Sequence, residues 1–156
     1  MRVRPLGEAD REWATRRLRD LWGEGVVSRG RLLDATVLPG FVAEGEGEPA
    51  GLLTYRIDGG DCEVVTINAF PRGAGAGTAL MEAVAVAARD AGCRRVWLIT
   101  TNDNLRALRF YQRRGFRLAA LHRDALARSR ELKPSIPEVG LDGIPLRDEL
   151  ELELTL

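Results

Sequence analysis

The strongest constraint on this chain is a glycine turn that joins an apolar strand to a long apolar helix. The segment "CEVVTINAF" alternates as a strand does, glycines follow at 73, 75 and 77, and an alanine-rich helix then runs to Gly92. A helix start has backbone N–H groups without intrahelical partners and carries partial positive charge. Glycines let a ligand approach the backbone because they have no Cβ atom. The turn is therefore predicted to bind an anion such as a phosphate.

The spacing of the turn excludes the two common nucleotide motifs. A Walker loop ends in Gly-Lys-Ser/Thr, whereas this turn ends in "GTAL". A dinucleotide fingerprint needs G-x-G-x-x-G, and the glycines here fall at alternate positions. A tight strand-to-helix turn that binds nothing is the alternative interpretation of the same residues.

The hydrophobic pattern predicts a mixed α/β (α+β) fold in a single domain spanning residues 1–156. Seven segments have strand character: "MRVRPL", "FVAE", "GLLTYRI", "CEVVTINAF", "RVWLITT", "FRLAAL" and "ELELTL". Four helices are predicted: from Asp10 to about Gly23, after the glycine turn, over "NDNLRALRFYQRRG", and over "RDALARSRELKP". We expect residues 22–38 to be irregular with one short helix, and residues 121–147 to be a variable segment. In the last strand, leucines alternate with glutamates, which predicts leucines facing the core and glutamates facing solvent.

Composition narrows the classes of partner. The 23 basic residues balance 23 acidic ones, so net charge gives no reason to expect a nucleic acid or a membrane surface as partner. Two cysteines without metal-ligand spacing predict neither a disulfide scaffold nor a metal site. No apolar run reaches signal-peptide or membrane-span length, so we expect a cytoplasmic protein. Edge strands and the apolar last strand make a homodimer a reasonable expectation.

Two motifs together resemble one known family. The glycine turn fits R/Q-x-x-G-x-G/A through Arg72, Gly75 and Gly77. The segment 100–116 is similar to N-x-x-A-x-x-F-Y-x-x-x-G-F, and its matching residues are Asn104, Ala107, Phe110, Tyr111, Gly115 and Phe116. Both motifs, in this order and separated by one helix and one strand, resemble those of the GNAT superfamily of acyl-CoA-dependent N-acetyltransferases. The resemblance covers roughly residues 1–120.

This resemblance implies a mostly antiparallel central sheet of about seven strands, with a parallel splayed pair in the middle and about four flanking helices. It implies acetyl-CoA, or another short acyl-CoA, as co-substrate, without a metal. Pantetheine is expected between strands 62–69 and 95–101, and the diphosphate on the amides of residues 72–78. The expected cofactor-binding residues are Ile67, Asn68, Ala69, Arg72, Gly73, Ala74, Gly75, Ala76, Gly77, Thr78, Asn104, Ala107 and Phe110.

Acyl transfer to an amine needs a neutral nucleophile, stabilisation of an oxyanion and a proton for the departing thiolate. Tyr111 and Asn104 are seven residues apart, so they share one helix face. The resemblance assigns Tyr111 as the general acid, and a phenol holds its proton at neutral pH. Glu63 is the candidate general base; its alternation along the strand predicts a face shared with Val65 and Ile67, and a solvent-facing glutamate is the alternative.

The backbone N–H groups of Ile67 and Asn68 are the expected oxyanion donors, because family members bend this strand there. His122, the only histidine, is either a base or a surface loop residue. Arginines in segments 22–38 and 121–147 suggest an acceptor that carries an anionic group besides its amine.

The predicted function is transfer of an acetyl group from acetyl-CoA to a primary amine by direct attack, with the acceptor open. The alternative is a non-catalytic acyl-CoA-binding or regulatory module of the same fold.

Overall fold

The structure is a computed structural model that describes residues 1–71 and 74–156. The described residues form nine strands and four α-helices. The strands are β1 (Arg2–Pro5), β2 (Val26–Ser28), β3 (Arg31–Leu33), β4 (Gly40–Gly45), β5 (Glu48–Asp58), β6 (Asp61–Ala69), β7 (Arg95–Thr101), β8 (Arg117–His122) and β9 (Glu149–Thr155). The helices are α1 (Arg11–Trp22), α2 (Ala76–Asp90), α3 (Leu105–Arg113) and α4 (Ala125–Leu132).

Seven strands form one sheet in the order β1-β4-β5-β6-β7-β9-β8, and β2 and β3 form a separate hairpin. The sheet is mainly antiparallel and contains one parallel pair, β6 with β7. This confirms the predicted mixed fold of seven sheet strands and four helices. The chain divides into two compact units, which are described in turn. The first comprises Met1–Val26, Asp34–Val96 and Leu156, and the second comprises Val27–Leu33 and Trp97–Thr155.

The sheet of the first unit is an antiparallel meander closed by tight turns. β5 pairs with β4 on one side and with β6 on the other. Two residues, Gly59 and Gly60, connect β5 to β6, and both have positive φ, 59° and 81°. A two-residue turn with two left-handed positions matches the twist of the flanking strands, and glycine adopts that conformation without a Cβ clash.

Helix α2 packs on this meander through a row of residues spaced four apart. Ala76, Leu80, Val84 and Ala88 are completely buried, and α2 contacts β1, β4, β5 and β6. The sequence pattern predicts an apolar stripe at Leu80, Val84, Ala87 and Ala91, but Ala87 is only half-buried and Ala91 is exposed. A residue spacing of four follows one ridge of the helix, so the buried row continues at Ala88 instead.

A register shift in the β5–β6 pair changes which residues of β6 share a face. The partners pass from Thr54↔Thr66 to Tyr55↔Val64, so Val65 has no partner on β5. Residues before and after such a bulge no longer alternate in phase. The pairs Arg56↔Glu63 and Thr54↔Thr66 therefore lie on one face, as their side-chain hydrogen bonds of 2.9 Å and 2.6 Å require.

The predicted face of Glu63 is thus wrong. Glu63 shares a face with Thr66 and Asn68, because the bulge at Val65 reverses the alternation that the sequence pattern assumes. A bend in this strand is expected from the resemblance, and the bulge lies directly before the residues for which it is expected.

Segment 22–38 is more regular than expected. It contains the hairpin β2–β3, turned by Arg29 and Gly30 with φ of 51° and 76°, and a single 3-10 turn at Ala35–Val37. The predicted short helix is this 3-10 turn, whose N-terminal end is capped by the Asp34 carboxylate. Arginine rarely adopts the left-handed conformation that Arg29 has in this turn, so the sequence pattern does not predict the hairpin.

In the second unit, β9 lies between β7 and β8 in the sheet. The prediction that its glutamates face solvent is wrong, because Glu149 and Glu151 are only 2% and 7% exposed. Hairpin β2–β3 covers this face, and the backbone N–H of Arg29 donates to Glu149 Oε1 at 3.1 Å. The face that Glu149 and Glu151 share is therefore covered at the start of β9, while β8 is the edge strand.

The predicted variable segment 121–147 contains α4, as the sequence indicates, and a loop that is attached to the end of β7. Asp103 accepts a hydrogen bond from the N–H of Leu141 at 2.9 Å, and Asn102 accepts from the N–H groups of Arg147 and Asp148 at 3.0 Å. Side chains that directly follow β7 thus hold a loop that lies 38 to 46 residues later in the chain.

The close approach of α2 to β5 at Gly51 generates a stability prediction. A Cβ atom at Gly51 would lie 3.0 Å from the Asn68 carbonyl oxygen and 3.1 Å from Ala76 Cβ. We expect Gly51→Ala to lower the free energy of unfolding by about 1–2 kcal/mol, because the added methyl group has no room unless β6 or α2 shifts. Urea denaturation measures this loss. The control is Gly7→Ala, where the nearest atom would be 3.6 Å away, and an equal loss in both variants would contradict the packing argument.

Candidate functional site

The first group of predicted site residues is the beginning of α2. Gly75 is the N-cap residue with φ of 89°, a left-handed conformation suited to glycine. Ala79 donates its N–H to the carbonyl oxygen of Gly75 at 3.1 Å, which closes the first helical turn. The helix geometry directs the amides of this turn outward from its N-terminal end. Ala74 and Gly75 are exposed, Gly77 and Thr78 are half-buried, and Ala76 is buried against the sheet.

Arg72 and Gly73, which complete the predicted diphosphate turn, lie outside the described residues. Their assignment stays a prediction.

The second group lies at the end of β6. Ile67, Asn68 and Ala69 are half-buried, and Asn68 accepts a hydrogen bond at its Oδ1 from Trp22 Nε1 at 2.9 Å. This bond connects the last residue of α1 to the strand that carries the expected oxyanion donors. Trp22 also lines a shallow surface pocket of about 340 Å³, a volume that includes the solvent at its mouth, together with Leu18 and Ala35.

Glu63 is a buried member of an ion pair. It is 3% exposed, and its Oε1 accepts a hydrogen bond from Arg56 Nε at 2.9 Å. The alternative of a solvent-facing glutamate is therefore wrong. The sequence pattern does not predict Arg56 as the partner of Glu63, because the pairing depends on the register of β5 against β6.

Helix α3 carries the remaining predicted residues in the second unit. The Asn104 side chain caps the helix by accepting from the N–H of Ala107 at 3.1 Å. Phe110 contacts Tyr111 edge-on with ring centroids 5.4 Å apart, and the guanidinium of Arg114 lies 3.7 Å from the Phe110 ring centroid. Asn104 thus has a local structural role that its position at the start of the helix explains.

Tyr111 is buried among aromatic rings. Its ring lies 5.9 Å from that of Phe116, and only 9% of the residue is exposed. Burial raises the pKa of Tyr111 to about 12, because the phenolate would lose its hydration. A phenol of this kind is fully protonated at neutral pH.

A polar cluster in the second unit is missed by the sequence analysis. His122 Nε2 lies 3.1 Å from Glu151 Oε1, and the imidazole is 33% exposed. Arg29 Nε lies 3.8 Å from the same Glu151 carboxylate, and the Arg29 guanidinium lies 5.2 Å from the Trp97 ring centroid. The signal in the sequence is the alternation of glutamates along β9, which also fits a strand with a solvated face.

Five arginines of segments 22–38 and 121–147 are the basis for expecting an anionic acceptor, and the structure shows where each of them lies. The Arg29 guanidinium faces Glu151, that of Arg128 pairs with Glu131 at the surface, and that of Arg130 donates to the carbonyl oxygens of Pro137 and Leu146. The remaining candidates, Arg31 and Arg123, are exposed. These guanidinium groups therefore contact other groups of the protein or lie in solvent.

Within residues 1–71 and 74–156, no group of three or more acidic, cysteine or histidine side chains is arranged to hold a metal ion. None of the helices in the same residues has the length and apolar character needed to cross a bilayer.

The burial of the Arg56–Glu63 pair predicts that removing its arginine costs more stability than removing the arginine of an exposed ion pair. We expect Arg56→Met to destabilise the protein by roughly 2–3 kcal/mol, because it removes the guanidinium that neutralises a buried carboxylate. Chemical denaturation at neutral pH measures the loss. Arg16→Met is the matched control, since its Glu12 partner is exposed, and it should change stability by less than about 0.5 kcal/mol. Comparable effects of the two variants would show that burial of the pair has no energetic consequence.

The burial of Tyr111 predicts that its phenol ionises at a higher pH in the folded protein than in the unfolded chain. The sequence contains two tyrosines, so Tyr55→Phe leaves Tyr111 as the single phenol, and its absorbance at 295 nm should rise at a pH of about 12. In denaturant the same phenol should ionise near pH 10. Because the unfolded phenol loses its proton first, the Tyr111 contribution to stability is constant below about pH 10 and falls between about pH 10 and 12. Ionisation of the folded variant near pH 10 would rule out a buried phenol.

Comparison with known proteins agrees with this geometry. Residues 8–116 match the family model described as the acetyltransferase (GNAT) family. The Bacillus subtilis (strain 168) protein YdhI, itself described as uncharacterized, is 46% identical over 132 residues, which are 83% of this chain and 82% of that protein.

Two solved structures share the fold. An IAA acetyltransferase from Bacillus cereus ATCC 14579 superposes with a TM-score of 0.77 at 21% identity, covering 99% of both chains. A Bacillus subtilis acetyltransferase in complex with CoA gives a TM-score of 0.71 at 20% identity, covering 99% of this chain and 98% of that one. The two sequence motifs, the order of the strands and the match over 8–116 lead to one conclusion: the chain belongs to the acetyltransferase (GNAT) family.

Proposed function

We propose that this protein is an N-acetyltransferase that moves the acetyl group of acetyl-CoA to a primary amine by direct attack. The observation that carries the proposal is Tyr111, a phenol buried on the helix that bears the second family motif. Family membership supports acyl transfer from a CoA thioester, and the CoA complex of the Bacillus subtilis neighbour supports the same cofactor.

In this proposal the start of α2 holds the diphosphate of acetyl-CoA. The turn at Ala74 and Gly75 is exposed, and it offers backbone amides rather than bulky side chains to an anion. The cofactor residues proposed on this ground are those of the turn, with Ile67, Asn68 and Ala69 on β6 and Asn104, Ala107 and Phe110 on α3.

The reaction then follows ordinary acyl-transfer chemistry. The neutral amine nitrogen attacks the thioester carbonyl carbon, and the negative charge that develops on oxygen is stabilised by backbone N–H groups at Ile67 and Asn68. The carbon–sulfur bond breaks, and Tyr111 donates its proton to the departing thiolate. The nitrogen loses a proton to a base. Glu63 is a candidate for that role, and its carboxylate is hydrogen-bonded to Arg56.

Tyr111→Phe tests the acid. We expect kcat to fall roughly 10²-fold or more, because the thiolate must then leave without a positioned proton donor. The affinity for CoA, measured by calorimetry, should stay within about twofold, since the removed hydroxyl acts at the sulfur and not at the diphosphate. Thiol release from acetyl-CoA is followed with a panel of free amino acids, polyamines and peptide N-termini.

Tyr55→Phe is the control for this experiment, because Tyr55 lies on β5 and has no assigned part in the reaction. Full activity of Tyr111→Phe would overturn the acid assignment. Folded wild-type protein that binds no CoA would overturn the whole proposal, and CoA binding without transfer to any amine would favour a non-catalytic module.

A further inference from the structure

We propose that the acceptor is an α-amino carbonyl compound, that is, an amine whose carbon also bears a carbonyl or carboxylate group, and that the Asn68 side chain binds this oxygen. Trp22 is the positioning residue that orients Asn68, and the pocket beside Trp22 takes an apolar side chain of the acceptor. This inference rests on the proposed function and names the substrate class of the same site. All the residues that carry it belong to the first compact unit.

The hydrogen bond from Trp22 fixes which end of the Asn68 amide is available to a ligand. Trp22 Nε1 donates to Asn68 Oδ1 at 2.9 Å. An indole N–H can only donate, so the atom beside it must be the amide oxygen. The two N–H groups of Nδ2 are then the free end of the amide, and within residues 1–71 and 74–156 they have no acceptor. Asn68 is only half-buried, so a ligand can reach these donors.

Alternation along β6 directs the Asn68 side chain away from α2. A Cβ atom at Gly51 would lie 3.0 Å from Leu80 Cδ1 of α2, and Gly51 pairs with Ala69. Paired residues share a face and successive residues alternate, so Ala69 faces α2 and Asn68 faces the other side. In the proposed function the acyl oxygen lies at the backbone of Ile67 and Asn68. An acceptor held by the Asn68 side chain is therefore beside the carbon that it attacks, and it leaves the start of α2 to the diphosphate.

Helix α1 holds Trp22 in place through a second contact with the end of β6. The guanidinium carbon of Arg17 lies 4.3 Å from the Phe70 ring centroid, which is a cation–π distance. Phe70 follows Asn68 by two residues, so both side chains face α1. Two contacts between this helix and the strand end keep the indole N–H directed at Asn68.

The pocket beside Trp22 has an apolar floor. Leu18, Val26 and Ala35 line it and are all buried. Its volume of about 340 Å³ includes the solvent at its mouth, so it is at the lower end of small-molecule sites and suits a single side chain. The charged residues of the lining are exposed and of both signs: Arg19, Glu24 and Asp34. The floor therefore selects for apolar character.

These features together match one arrangement of groups in an acceptor. The Nδ2 donor of Asn68 needs an acceptor atom on the substrate, and the attacking nitrogen cannot provide it because its lone pair forms the new bond. The pocket needs an apolar group close to that atom. An α-amino acid or a peptide N-terminus carries the amine and the side chain on one carbon and the oxygen on the next, whereas a polyamine has no oxygen. A site built to donate a hydrogen bond discriminates against a substrate that lacks the acceptor.

The test uses amines that differ by one group, with thiol release from acetyl-CoA as the readout. Leucinamide and isoamylamine share the amine and the isobutyl group, but only leucinamide has the carbonyl, and glycinamide has the carbonyl without the side chain. Values of kcat/KM are expressed per neutral amine, because the carbonyl lowers the pKa of the amine. We expect wild type to prefer leucinamide about tenfold or more over each of the other two.

Variants separate the roles of Asn68 and Trp22. Asn68→Asp keeps an oxygen for the Trp22 N–H but has no Nδ2 donor, so the ratio of leucinamide to isoamylamine should fall about tenfold, mainly through the KM for leucinamide. Trp22→Phe keeps the ring and removes the N–H, so it should lower this ratio about threefold or more but keep the preference for leucinamide over glycinamide. Trp22→Ala should weaken both preferences. Trp13→Phe, a half-buried tryptophan on the same helix, is the matched control and should change neither.

Leucine and a tripeptide that begins with leucine distinguish a free amino acid from a peptide N-terminus, since both carry the carbonyl oxygen. All variants should bind CoA within about twofold of wild type by calorimetry, which shows that they are folded.

If Asn68→Asp keeps the wild-type ratio of leucinamide to isoamylamine, or if wild type acetylates only amines without an α-carbonyl, the inference is overturned while the proposed function stands. If Trp22→Phe keeps that ratio, the positioning role of Trp22 is wrong. If Trp22→Ala keeps the preference over glycinamide, the pocket does not hold the side chain. If wild type binds no CoA or acetylates no amine, the proposed function fails and the inference fails with it.

Discussion

The contact between the first turn of α2 and Gly51 of β5 fixes the position of the helix that follows the glycine turn. The absence of a side chain at Gly51 lets Ala76 and Leu80 approach the strand, and the completely buried row from Ala76 to Ala88 then holds the helix along its length. The direction of the helix start, and with it the direction of its amides, is set by this packing and not by the glycine turn alone. The glycine turn leaves the amides at the helix start accessible, whereas packing on the sheet sets the direction in which they point.

Both units bury carboxylates beside arginines. Glu63 is neutralised by Arg56 across one pair of strands, and Glu151 is flanked by His122 and Arg29. Burial of an unpaired carboxylate would cost several kcal/mol, so such groups persist in a small domain only where partners are fixed by the backbone. The bulge at Val65 and the hairpin β2–β3 are the backbone features that bring these partners to them.

The two buried carboxylates differ in their partners. Glu63 is hydrogen-bonded to the guanidinium of Arg56, whereas Glu151 lies beside the imidazole of His122 as well as the guanidinium of Arg29. The phenol of Tyr111 is surrounded by aromatic rings instead, and burial raises its pKa to about 12.

The sequence by itself determined the class of fold, the elements that carry the two motifs and the identity of the family. Its glycine turn, its continuous apolar strand "RVWLITT" and the Asn104 to Phe116 segment depend on local geometry, and local geometry is what periodicity and turn chemistry report. The position of Tyr111 on a helix face followed from the same rules.

Only the tertiary structure decided which charges meet. The face of Glu63 depends on a one-residue bulge, the burial of Glu149 and Glu151 depends on a hairpin more than a hundred residues earlier in the chain, and the role of Asn102 and Asp103 depends on a distant loop. Alternation along one strand states which residues share a face, but not which face a second segment covers, because that is fixed by packing between elements far apart in sequence.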